Sequence, residues 1–128
     1  MDRSNEVSCR FISIAEIQHT VAAAFSLTRA DLLSRSRERN VACARHVAMY
    51  LSRELSRGNY SGAAPSGSPR TSYPRIGIAF GRDHTSVMHA CNAIGRKCKA
   101  DVRFARLVDS LAGEVRGRAD RSNAKVAA

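Results

Sequence analysis

The stretch from Ile76 to Ala90, IGIAFGRDHTSVMHA, constrains this chain more than any other. It reads as a short helix, a tight turn at Gly81 and a second helix opened by Asp83. An aspartate there is a good N-cap, since its carboxylate accepts backbone N–H groups that have no partner in the first turn. Beyond it Val87, Ala90, Cys91 and Ile94 recur at helical spacing, so one face of the second helix is apolar and buried. His84, Thr85 and Ser86 then occupy an exposed first turn. This is the arrangement of a helix-turn-helix whose second helix puts its N-terminal residues against base edges in the major groove.

The surrounding sequence supports a small helical domain. Ser13 with Glu16 forms a capping-box pattern opening a helix to Ala24 or Phe25, with Ile14, Ile17, Val21 and Ala24 as its apolar stripe. Thr28 with Asp31 opens a short helix ending near Ser34. A basic loop follows, holding Arg35, Arg37 and Arg39. Asn40 is expected to cap a longer helix to about Ser56, with Val41, Ala44, Val47, Ala48, Leu51 and Leu55 facing inward. Residues 58–72 are rich in Gly, Ser and Pro and break all periodicity, which predicts a flexible insertion. Pro74 suits the first turn of the next helix, where a missing N–H does no harm. Asp101 opens a last helix with Val102, Phe104, Leu107, Val108 and Leu111 as core positions. Residues 1–11 read as a polar leader and 116–128 as a disordered basic tail.

Three parts of this pattern resemble, in order and spacing, the C-terminal DNA-binding domain (domain IV) of the DnaA replication initiators. They are Ile17–Leu33 with its ADLL at Ala30–Leu33, the RHVAMYL run at Arg45–Leu51, and the GRDHTS signature at Gly81–Ser86. The likeness covers roughly residues 12–115, and three motifs in register make it specific. It implies an all-α, Trp-repressor-like bundle of about six helices. It also implies that Asp83, His84, Thr85 and Ser86 read the major groove and that Arg45 enters the minor groove. The basic loop of Arg35, Arg37 and Arg39, with Arg82 at the helix start, would bind phosphates. Three departures stand out: Ser86 where the family commonly has Thr, His46 where it has Gln, and the insertion at 58–72.

Charge agrees with this reading. A net charge of +10 over 128 residues attracts polyanions, and counterion release rewards such charge on a phosphate backbone. At 44% hydrophobic and 5% aromatic without Trp, the interior must be built from Ala, Val, Ile and Leu, which suits small, closely packed helices. No run of about 20 apolar residues could span a bilayer and no signal-peptide pattern precedes Phe11, so a cytoplasmic, nucleoid-associated protein is expected. The cysteines at 9, 43, 91 and 98 lack zinc-site spacing, and no metal or cofactor is expected. A G-x-x-x-x-G-K-[ST] loop is missing and no nucleophile–base constellation appears, so the chain is not read as an enzyme and takes no small-molecule substrate. Met1, the leader and the tail beyond Gly117 suggest a stand-alone protein more than an excised domain.

The expected function is therefore sequence-specific binding of double-stranded DNA at DnaA-box-like sites, regulating replication initiation or transcription. DnaA or another replication protein would be a further partner. The rival is a module that kept the fold, lost DNA binding and docks on a replication protein. Retention of Arg45, Asp83, His84 and Thr85 together weighs against it, because a docking scaffold needs none of them.

Overall fold

The structure, a computed structural model, describes residues 12–55 and 71–127, with side chains through Arg118. Six helices account for these residues: α1 (Ile14–Ala24), α2 (Arg29–Leu33), α3 (Arg39–Leu55), α4 (Tyr73–Phe80), α5 (His84–Ala100) and α6 (Val102–Ala127). No strand occurs among the described residues. The all-α, six-helix expectation holds.

Local chemistry sets most of the boundaries. Ser13 accepts from the Glu16 N–H at 3.1 Å to open α1. Thr28 and Asp31 form a reciprocal capping box, with both bonds at 3.0–3.1 Å, so even the five-residue α2 starts firmly. Asp101 accepts from the N–H groups of Arg103 and Phe104 and so opens α6. One expected cap does not form. Helix α3 begins at Arg39, so Asn40 lies inside the first turn, where its side chain instead donates to the Phe25 carbonyl at 3.4 Å.

The core lies where these helices converge. α3 packs on α5, α4 on α5, and α1 against both α3 and α6. The six inward positions expected on α3 are all buried, as are Val87, Ala90, Cys91 and Ile94 on α5. Ile17, Leu32, Val47, Ile76, Val87 and Val115 are completely enclosed. On α6 the expectation needs correction. Phe104, Val108 and Leu111 are buried, but Val102 is 65% exposed and Leu107 is 42% exposed. At 3.6 residues per turn Val102 falls opposite Phe104 and Val108, and Leu107 sits at the edge of their stripe.

Two segment assignments also change. Helix α6 continues to Ala127 where a disordered tail from residue 116 was expected. Once a helix is nucleated, adding Ala, Arg and Lys residues is favourable, and no proline interrupts the run. The Arg118 guanidinium also meets the Thr20 hydroxyl of α1 at 3.4 Å. Most of the insertion expected at 58–72 lies outside the described residues. Its last two residues do not belong to a loose loop: Thr71 is buried with its carbonyl accepting from Arg53 at 2.9 Å, and Ser72 caps α4.

Candidate nucleic-acid interface

The interface is built around the turn between α4 and α5. Gly81 ends α4 in the left-handed region at φ 68°, which a glycine adopts without steric cost. The Arg82 N–H then bonds back to the Gly77 carbonyl at 2.9 Å, closing the turn. Gly77 is required for a different reason: a Cβ there would collide with the Arg82 carbonyl oxygen, a backbone atom that cannot swing aside. Two glycines thus set the angle between the helices.

Asp83 caps α5, its carboxylate accepting from the Ser86 N–H at 3.3 Å. Donation from the Ser86 hydroxyl and backbone holds the Asp83 carboxyl below the ordinary carboxylate range, although the group is fully exposed. The pair Asp83–Ser86 is therefore occupied in forming the helix start. His84 and Thr85 are exposed on that same first turn, and none of the described hydrogen bonds uses their side chains. Of the four expected base readers, these two have side chains that no described hydrogen bond engages.

The basic loop is organised from beneath. Ser34 and Ser36 turn the chain, their hydroxyl oxygens accepting from the N–H groups of Ser36 and Glu38 at 3.2 Å. Arg45, on α3, is only 7% exposed, and its guanidinium donates to the carbonyls of Leu32 (2.9 Å), Ser34 (2.8 Å) and Ser36 (3.1 Å). Arg82 reaches across from the helix-turn-helix to the same Ser34 carbonyl at 2.8 Å. With the loop carbonyls drawn inward, Arg35, Arg37 and Arg39 are left exposed. The expected placement of Arg45 in a minor groove does not match this geometry. A guanidinium with three of its N–H donors on loop carbonyls is turned into the fold.

Arg35, Arg37, Arg45 and Arg82, with Ser36 and Ala42, line an open cavity of about 350 Å³. Burial, then the charge of Arg82, disfavours the charged form of Arg45. The same two arginines, with burial acting first, push the His46 imidazole below its ordinary pKa. Such mutual repulsion is what an entering anion relieves, so the cavity suits a phosphate.

One contributor was not apparent from the sequence. Gln18 is fully buried; its amide nitrogen donates to the Ala79 carbonyl at 3.2 Å and its oxygen accepts from Arg29 at 2.7 Å, locking α4 against α1 and α2. A lone glutamine on an apolar face carries no signal of such a role. His19 and His89 have apolar sequence neighbours, yet both are exposed. Among the described residues no group of three or more His, Cys, Asp or Glu side chains could hold a metal ion. No helix among them is long and apolar enough to cross a membrane.

Residues 14–65 match the family described as the bacterial DnaA protein helix-turn-helix. Over 106 residues the chain is 38% identical to the chromosomal replication initiator protein DnaA of Symbiobacterium thermophilum and, equally, to that of Lactiplantibacillus plantarum. It is 39% identical over 103 residues to that of Lactobacillus delbrueckii subsp. bulgaricus. These alignments cover 80–82% of this chain and 20% of each relative, so the chain spans about a fifth of the length of the curated relatives it matches.

Proposed function

We propose, for a chain that belongs to the bacterial DnaA helix-turn-helix family, that it binds double-stranded DNA sequence-specifically at DnaA-box-like sites and thereby regulates replication initiation or transcription. The observation that carries this reading is the open first turn of α5. His84 and Thr85 are exposed there on a helix start held by the Asp83 cap, directly after Arg82 of the arginine-lined cavity in sequence.

Each residue then has a role. Thr85 offers a hydroxyl to a base edge and a methyl to thymine, and His84 a ring N–H or lone pair. Asp83 and Ser86 fix the register of that turn and offer their remaining exposed oxygens to base edges. Arg35, Arg37 and Arg39 meet phosphates. Arg82 stands at the helix N-terminus, where an anion is favoured, and shares the arginine cavity with the loop. Arg45 acts through the loop it holds. Partners beyond DNA would be DnaA or another replication protein, and the reading involves no catalytic step.

Titrating the chain on a duplex carrying a DnaA-box sequence and on a scrambled duplex of equal length tests the proposal. Tighter binding to the box by a thousandfold or so, the lower end for specific complexes, is the expected result. Equal affinity for both would refute sequence-specific recognition. Binding to neither would move the chain to the protein-docking class.

A further inference from the structure

We propose that base readout is not confined to the first turn of α5 but continues along its outer face through His89 and Asn92. This rests on the DNA-binding reading above and extends it to two further residues. Helix periodicity places Thr85, His89, Asn92 and Arg96 on one line, opposite the buried line of Val87, Ala90, Cys91 and Ile94. All four outer residues are exposed, and none of the described hydrogen bonds uses His89 or Asn92.

The chemistry of this face is unusual for a solvated surface. Exposed helix faces ordinarily carry Lys, Glu, Asp and Arg. Residues 84–95 contain none of these, in a chain that is 25% charged, and charge resumes only at Arg96. Up to Arg96 the outer positions hold polar side chains that donate and accept. Such groups match the edges of bases; charged arginines and lysines match phosphates. Small residues at Ala93 and Gly95 flank the line and let the helix sit close.

The spacing also fits. A rise of about 1.5 Å per residue puts His89 about 6 Å and Asn92 about 10 Å beyond Thr85 along the axis. With base steps of about 3.4 Å, Asn92 stands some three steps from the base that Thr85 reads. An asparagine amide pairs bidentately with adenine N7 and N6–H, so Asn92 selects adenine. His89, an imidazole with a ring N–H to give, suits a purine N7 between them.

The test selects preferred duplexes from a random-sequence pool with the full chain as wild type, Thr85→Ala, His89→Ala, Asn92→Ala and Asn92→Asp. Each protein is then titrated on the wild-type consensus and on a scrambled duplex. Asn92→Ala should weaken consensus binding roughly tenfold and erase an adenine preference about three steps from the position that Thr85→Ala loosens. Asn92→Asp should turn that preference towards cytosine, whose N4 amino group donates to a carboxylate. His89→Ala should flatten a position between the two. Melting temperatures should stay at the wild-type value, since both side chains are exposed. Selection profiles of the Asn92 and His89 variants identical to wild type, or equal losses on consensus and scrambled duplexes, would overturn the inference while leaving first-turn readout intact. A wild-type profile without any base preference would instead overturn the DNA-binding reading, and this extension with it.

Discussion

Ser34 contributes a single carbonyl oxygen, yet it joins the basic loop to the helix-turn-helix, because Arg45 and Arg82 both donate to it. Removing Arg45 strands the Leu32 and Ser36 carbonyls, while Ser34 keeps its bond from Arg82, and leaving a buried acceptor unpaired costs about 1–3 kcal/mol. Arg45→Ala should therefore lower stability by at least that amount in urea melts and loosen the loop. Arg45→Lys should restore little, because an ammonium cannot reproduce a planar three-carbonyl fork. Nothing in the RHVAMYL run distinguishes an inward arginine from an outward one; the difference lies in which carbonyls the 34–36 turn presents, and that emerges only when α3 meets the loop. His46 adds a pH dependence. Its pKa is lowered on folding by burial and by Arg45 and Arg82, so the unfolded chain holds the proton more tightly. Its contribution is complete above the ordinary value of 6.5 and is lost as pH falls through the lowered one. Melting temperature should drop as pH falls from about 7 to about 5, and His46→Gln should flatten that segment of the curve. A slope unchanged in the variant would assign it to other groups.

At the scale of elements, the turn between α4 and α5 depends on two glycines for separate reasons, and substitutions should tell them apart. Gly81→Asn should be tolerated with a loss near or below 1 kcal/mol, because asparagine visits the left-handed region. Gly77→Ala should cost several times more, since its methyl group meets backbone at Arg82. Thermal melts of the two variants provide the comparison, and equal losses would contradict the collision at Gly77. These elements were the most legible part of the chain. Ser13, Thr28, Asp83 and Asp101 cap by local hydrogen bonds, and the buried lines on α3 and α5 follow from spacing alone. What local patterns could not supply were features decided by packing or propagation. Asn40 is a good cap by type but lies one residue too far into α3, and α6 runs past Gly117 on helix propensity that a charge-rich composition conceals.

Across the whole molecule, the proposed DNA binding would draw its nonspecific affinity from a net charge of +10 and the outward arginines of the 35–39 loop. Each phosphate contact adds about 0.9 to the slope of log affinity against log salt, so Arg37→Ala should reduce that slope by about one unit and leave sequence preference intact. An unchanged slope would place Arg37 outside the interface. The proposed division between charge that attracts and polar groups that select was partly legible beforehand: His84 and Thr85 stand out in the signature, whereas the apolar sequence neighbours of His89 give no sign of an exposed position. Only the orientation of α5 against α3 and α4 shows that it faces out. If the exposed first turn of α5 reads bases, paired titrations of Thr85→Ala will separate its contribution on specific and nonspecific DNA. On a box-containing duplex the substitution should cost about 1–3 kcal/mol, through loss of hydroxyl and methyl contacts. On a scrambled duplex it should cost almost nothing, with the melting temperature held at the wild-type value. Equal losses on the two duplexes, or no loss on either, would contradict the account.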